Sequence, residues 1–284
     1  LIKTNQMNGA DAALRCSQHW GKPLIARCGY MWSVHALKRN AEIEVKNARI
    51  TEKRIFWAAD KTIVTTIEMK DYIYSNYQLP KERILVIPNY VETDGFSPDF
   101  DRSIEFDILF VGRLVPQKNL SAFLTALRDI DAKVMIIGTG ELKEKLKTEF
   151  GDLKGKIIWK GNVPNRDLPF YMNQASLYIL PSHYEGHPKT LIEAMACGLP
   201  VVGSDSPGIR EIIDHGVNGY LCDTDPASIR KAIEQLLSNP GLRESLGKNA
   251  LEYAVENFSL DRIDEMEYEL YKTVLNKRKK EVLN

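Results

Sequence analysis

Short apolar runs alternate with helix-length amphipathic segments along most of the chain, a rhythm that predicts a parallel α/β architecture. After residue 105 the order reads strand 106–111, helix 119–130, strand 132–137, a helix from 141, strand 156–159, a helix near 168, a strand over 177–180 within the apolar run 175–181, and helix 190–197, closed by Gly198 and Pro200. Strands at 201–203 and 220–222 follow, with Asn218-Gly219 as a turn, and the pattern is mostly helical from Pro226. Before residue 90 the same rhythm is shorter: a helix within 8–20, strand 23–27, one long helix over about 35–58, strand 62–66, a helix, and strand 83–87. The Pro, Gly, Asp and Asn of residues 88–99 mark a linker. The predicted organisation is a partial domain over 1–90, a linker over 91–105, a complete α/β domain over 106–256 and a terminal helix over 257–284. That helix carries Leu260, Ile263, Met266, Leu270 and Val274 at helical spacing, an apolar stripe of the kind that covers a core.

Composition narrows the function without naming it. With 284 residues, 44% hydrophobic and 27% charged, the chain can bury more than one core. Its net charge of zero gives no basic excess for nucleic acid, and no apolar run reaches membrane-spanning length. The expected location is cytoplasmic. Cys16, Cys28, Cys197 and Cys222 lack metal or disulfide spacing and read as reduced, mostly buried thiols. His183-x-Glu185-x-His187 is not read as a metal site, because Gly186 and Pro188 break the helix that would put both imidazoles on one face. Neither metal nor cofactor is expected. Lys277-Arg-Lys-Lys280 reads as a solvated tail, with peripheral contact to acidic lipids as the alternative.

The chemistry concentrates in Ser182-His-Tyr-Glu185-Gly-His-Pro188-Lys-Thr-Leu-Ile-Glu193-Ala-Met-Ala-Cys197-Gly198-Leu-Pro200, at a strand-to-helix turn. Gly186 permits an unusual backbone turn and Pro188 needs no N–H, so the amides of Lys189, Thr190 and Leu191 are expected to face an anion. Glu193 lies in the first helical turn, where a carboxylate can accept from a vicinal diol such as a ribose, and Glu185 can do the same for sugar hydroxyls. Each residue alone also has an ordinary reading as helix-start chemistry. A second turn follows strand 106–111: Gly112-Arg113-Leu-Val-Pro116-Gln-Lys118-Asn119. Lys118 stands at a helix start, against the macrodipole, and something anionic should offset it. The Arg113 fork suits bidentate phosphate contact and Lys118 acts as a point charge, together fitted to a departing diphosphate. Gly138-Thr-Gly140 lacks the third glycine of a dinucleotide fingerprint, Lys143 standing in its place, and reads as a tight turn at a strand end.

A Pro-Ser followed three residues on by Glu185-Gly, with Glu193 after seven intervening residues and Ala-Met-Ala-x-Gly-x-Pro beyond, resembles the signature of glycosyltransferase family 4, the retaining GT-B enzymes. The resemblance covers nearly the whole chain. It implies a GT-B fold of two Rossmann-like domains with parallel sheets, the N-terminal one lacking its first strands and therefore exposing apolar surface and a raw sheet edge. It implies transfer of a sugar from a nucleoside diphosphate sugar to a saccharide, lipid-linked or small-molecule acceptor, in polysaccharide or glycoconjugate biosynthesis and without a metal. Arg113, Lys118 and Glu185 are then the catalytic set. Gly112, Val163, Gly186, His187, Pro188, Lys189, Thr190, Leu191 and Glu193 line the donor, Val163 meeting the base through the Gly161-Asn-Val163-Pro backbone. The terminal helix crosses back to brace the acceptor domain. The family's usual His after the strand Leu24-Ile-Ala-Arg27 has no counterpart before His35, so no acceptor-side catalytic residue is assigned. A catalytically silent nucleotide-binding or partner protein, or another GT-B enzyme such as an epimerase, is the alternative. The base, sugar, acceptor and oligomeric state are not legible.

Overall fold

The structure, a computed structural model, describes the backbone of residues 1–283 and the side chains of residues 1–276. The side chains of Lys277–Lys280 lie outside the described residues. The chain forms two compact units, one from Leu1–Asn89 with the segment from Asp261 onward, the other Tyr90–Leu260.

Unit 1 runs β1 (Ile2–Lys3), α1 (Ala10–Trp20), β2 (Leu24–Cys28), α2 (Trp32–Lys38), α3 (Glu42–Ala58), β3 (Lys61–Val64), α4 (Ile67–Tyr77) and β4 (Ile84–Val86). The four strands are parallel and lie in chain order. Three right-handed crossovers in the same direction put their helices on one face. There Leu24, Ala26, Cys28, Val64 and Ile84 meet Leu14, Ile55, Phe56 and Ile73. The opposite face carries Lys3, Ile25 and Ile63, and both isoleucines are fully buried. Lys3 Nζ donates to Glu267 Oε1 at 2.6 Å and to the Tyr271 hydroxyl at 2.9 Å, which brings the terminal helix to this face. Ile263, Leu270 and Val274 of its apolar stripe are buried. The terminal helix thus packs on this unit through Lys3, while Trp20, Leu37, Ile43, Ile50 and Ile67 of the same unit remain exposed, the apolar surface that was expected.

The single helix expected over 35–58 is two. Asn40 takes a left-handed φ of 55° between α2 and α3, a conformation Asn tolerates at a helix end, and the apolar periodicity running through both helices hides the break. The N-cap of α2, Met31, offers no side-chain acceptor. Glu52 of α3, fully buried, supplies one instead, accepting from the Ser33 amide at 3.0 Å and from the Tyr77 hydroxyl.

Unit 2 runs β5 (Phe106–Val111), α5 (Leu120–Ala126), β6 (Val134–Ile137), α6 (Lys143–Glu149), β7 (Ile157–Gly161), α7 (Leu168–Met172), β8 (Ala175–Leu180), α8 (Lys189–Ala196), β9 (Val201–Ser204), β10 (Tyr220–Cys222), α9 (Pro226–Leu237) and α10 (Pro240–Phe258). After it, α11 (Leu260–Leu283) is the terminal helix already described. The helix expected over 119–130 is shorter, α5 tightening into a 3₁₀ turn at Leu127–Asp129. The six strands are parallel in the order β10-β9-β8-β5-β6-β7. From β5 the chain steps outward to β6, and from β8 it steps the other way to β9. Right-handed crossovers in opposite directions send α5 and α8 to opposite faces, so the loops leaving β5 and β8 part and open a crevice at the carboxyl ends.

The β5, β6 and β7 loops are joined backbone to backbone at that end. The Gly112 amide donates to Ile137 O at 3.0 Å, the Leu114 amide to Thr139 O at 2.9 Å, and the Gly138 amide to Gly161 O at 2.8 Å. Gly138 has φ +135°, and a Cβ there would stand 1.9 Å from Gly112 O.

Two outcomes follow. Glu52→Ala leaves the Ser33 amide unpaired and the Tyr77 hydroxyl with only a weak 3.4 Å contact to Ser33 Oγ, and is expected to cost unit 1 about 3 kcal/mol, against about 1 kcal/mol for Glu52→Gln, which keeps an acceptor. Trp20, Trp32 and Trp57 report on unit 1 in denaturant unfolding followed by fluorescence; equal midpoints for the two variants would remove Glu52 from this role. Gly138→Ala should destabilise unit 2 by about 2 kcal/mol or more, because it meets both backbone strain and a carbonyl. Gly151, whose added Cβ would meet nothing within 4 Å, is the neutral control in thermal unfolding.

Candidate functional site

The β5 loop brings the two basic residues to the crevice in different states. Arg113 is exposed and, among the described residues, makes no ion pair or hydrogen bond through its side chain. Lys118 is only 9% exposed. It sits in a 3₁₀ turn (Pro116–Lys118), and Asn119, with a left-handed φ of 54°, separates it from α5. Its ammonium donates to Glu185 Oε1 at 2.6 Å. The anion that a cation at a helix start calls for is thus the carboxylate on the β8 loop.

That loop is gripped from both sides. The His183 amide donates to Gln117 O at 2.9 Å, and Gln117 Nε2 donates to Tyr184 O at 2.8 Å and weakly to Glu185 Oε2 at 3.4 Å. On the other side the Glu185 amide donates to Pro207 O at 2.9 Å. Gly208, with φ +80°, lies so close that a Cβ would stand 2.5 Å from the carbonyl oxygens of Glu185 and Gly186. Glu185 therefore has little freedom at the backbone. Neither Gln117 nor Gly208 stood out in the sequence; Gln117 had only its place between Pro116 and Lys118 to mark it.

At the head of α8, Pro188 is an extended cap (φ −71°, ψ 110°). The Leu191 amide donates to Pro188 O at 3.2 Å, which corrects its reading as a free donor: the helix has already claimed it. The amides of Lys189 and Thr190 have no acceptor among the described residues. The Lys189 ammonium lies 4.4 Å over the Tyr90 ring, and Thr190 Oγ1 accepts from the Tyr178 hydroxyl at 2.8 Å. Burial, together with the charges of Glu185 and Glu193, holds the Tyr178 phenol above its ordinary range. His187 is buried, its ring packed edge-on against Phe258 at 5.0 Å. Gly186 is half-buried and His183 exposed.

Glu193 is 2% exposed. Its Oε1 accepts from Asn165 Nδ2 at 3.0 Å, and its Oε2 is buried with no hydrogen-bond partner. Burial raises its pKa, the Asn165 bond and the Lys189 charge oppose that, and Glu92 adds to it. Val163, half-buried, lies two residues before Asn165 on the β7–α7 connection. The crevice thus holds an exposed guanidinium, two free amides, a buried ion pair and a buried carboxylate with one unpaired oxygen, a set suited to an anion joined to hydroxyls. No group of three or more His, Cys, Asp or Glu side chains that could hold a metal occurs among the described residues. Burial pushes the Cys197 and Cys222 thiols up to about 12, which leaves neither a ready nucleophile. No helix among the described residues is long and apolar enough to cross a membrane.

Comparison with known proteins bears on the fold and the family. Sucrose-phosphate synthase from Thermosynechococcus elongatus superposes with a TM-score of 0.86 at 22% identity, over 97% of this chain and 73% of that one. HepE of Anabaena, solved in complex with UDP, gives 0.82 at 19% identity, over 95% and 78%. At such identities the likeness carries the fold, which is GT-B. An uncharacterized glycosyltransferase of Methanocaldococcus jannaschii is 29% identical over 276 residues, 88% of this chain and 67% of that protein. The D-inositol 3-phosphate glycosyltransferase of Acidothermus cellulolyticus is 30% identical over 308 residues, 98% of this chain and 68% of that protein. Across three curated relatives the chain spans 57 to 70% of their length. The profile of the family described as glycosyl transferases group 1 matches residues 100–253, more than half of the chain, and the chain belongs to that family.

Proposed function

We propose that this chain carries the donor side of a retaining glycosyl transfer, from a nucleoside diphosphate sugar to a hydroxyl of a saccharide, lipid-linked or small-molecule acceptor, in polysaccharide or glycoconjugate biosynthesis. The observation that carries the reading is the buried Glu193 carboxylate, with one oxygen unpaired, beside the free amides at the head of α8. A buried acceptor without a donor is costly unless a ligand supplies one, and a ribose hydroxyl fits. Support from relatives is of the same kind: HepE is solved with UDP and with UDP-glucose, and a relative 34% identical over 174 residues is an amylovoran biosynthesis glycosyltransferase of Erwinia amylovora.

In this scheme the bond between the anomeric carbon and the diphosphate oxygen breaks, the acceptor oxygen bonds to that carbon, and the acceptor's hydroxyl proton passes to the departing diphosphate oxygen. Negative charge grows on the leaving diphosphate, where Arg113, Lys118 and the Lys189 and Thr190 amides meet it. The catalytic power is positioning and electrostatic stabilisation. Lys118 exchanges its carboxylate partner for phosphate, and that releases Glu185 toward the sugar hydroxyls. Gly112 and Pro188 shape the turns, and Val163 faces the base.

Arg113→Ala should cost about 1.5–3 kcal/mol of nucleoside diphosphate binding, more than tenfold in affinity; unchanged affinity for UDP, ADP and GDP in calorimetry would sink the assignment. The two carboxylates should part in the same measurement. Glu193→Gln is expected to weaken free diphosphate and full donor alike. Glu185→Gln should weaken only the sugar-bearing ligand and, by freeing Lys118, tighten the free diphosphate. The same relative loss for both ligands in both variants would refute the division.

A further inference from the structure

We propose that Asn165 is the positioning residue that aims the Glu193 carboxylate at the nucleotide ribose; this rests on the donor-site reading above. Asn165 opens a 3₁₀ turn (Asn165–Asp167) after Pro164, on the connection that returns from β7 at the sheet edge to α7 and β8 in its middle. Its Nδ2 donates to Glu193 Oε1 at 3.0 Å. No other side-chain or backbone donor reaches that carboxylate among the described residues, and Oε2 is left buried and unpaired.

The surroundings show why one bond decides the aim. Lys189, a turn earlier on α8, has its ammonium over the Tyr90 ring. Tyr178 spends its hydroxyl on Thr190 and Val111. Glu92 contributes only repulsion, and Cys197, a turn later, feels Glu193 as a charge that raises its thiol. A carboxylate with one oxygen fixed by a donor can present the other in one direction only. Asn165 itself is exposed, so its removal leaves no cavity, and the effect sought is one of orientation and charge rather than packing. The Asn165 bond also opposes the burial that raises the Glu193 carboxyl. Because Val163 is two residues upstream, a base seated against that backbone bears on the same strut that orients the ribose acceptor.

The test pairs a side-chain deletion with a ligand deletion. Affinities of the full chain for UDP, ADP and GDP and for their 2′-deoxy counterparts are measured by calorimetry, in the unmodified protein and in Asn165→Ala, Asn165→Gln and Glu193→Gln. The unmodified protein should favour the ribonucleotide by about tenfold. Asn165→Ala should cut that preference to about threefold or less while the deoxy affinity stays within about twofold, and Asn165→Gln, which keeps a donor, should restore part of it. The preference needs the carboxylate, so it is lost as pH falls, and in Asn165→Ala the loss should set in at higher pH. Asn165→Ala also leaves Glu193 Oε1 without a donor and should lower the unfolding temperature, so the ratio of ribo to deoxy affinity, which a loss of stability alone does not move, is the readout. Equal weakening of ribo and deoxy ligands, or an intact preference in Asn165→Ala when Glu193→Gln abolishes it, overturns the proposal alone. A preference untouched by Glu193→Gln overturns the ribose reading and the proposal with it.

Discussion

The ion pair between Lys118 and Glu185 spans the point where the β5 and β8 loops part, and the rest of the crevice is arranged around it. Two charges taken from water there gain in mutual attraction about what they lose in hydration. Such a pair adds little to stability. It does keep a cation and a carboxylate in place, each already desolvated, so that a ligand carrying both a negative and a hydroxyl-rich part can exchange with them one for one.

The scaffolding explains why the exchange need not disturb the fold. On the β5 side, Gly112 and Leu114 are bonded to the β6 loop, which is bonded in turn to β7. On the β8 side, Gln117 and Pro207 hold the backbone around Glu185. The charges can change partners while the peptide groups that carry them keep theirs. This is the division of labour expected when preorganised groups rather than moving backbone supply the electrostatics.

Most of the donor-side architecture was legible because buried parallel strands are runs of apolar residues, and 106–111 and 175–180 are such runs bounded by turn residues. The glutamates, Arg113 and Lys118 were legible because few residue types suit an anion-and-diol site at a strand end. What the sequence concealed depends on contacts far along the chain. The break at Asn40 is closed by local hydrogen bonds that the continuing apolar pattern masks, and the use of Glu52 as a cap for α2 joins residues 19 apart. Asn165 and Gly208 matter through approaches to Glu193 and to the Glu185–Gly186 backbone that no local window contains. The Leu191 amide was misread because a proline cap that removes one helical donor still offers its own carbonyl to the next. The two-residue strand β1 is too short to show any periodicity, and only its pairing with β2 reveals it.

The terminal helix has a consequence in time as well as in space. Unit 2 is one continuous stretch of chain, whereas unit 1 is completed by a segment that follows all of it. Lys3 therefore emerges from synthesis early and waits for Glu267 and Tyr271 before its ammonium is paired. Unit 2 can close as soon as its own last helix is made, and unit 1 must close last despite being started first. During that interval the partners of its terminal helix stay open to other chains.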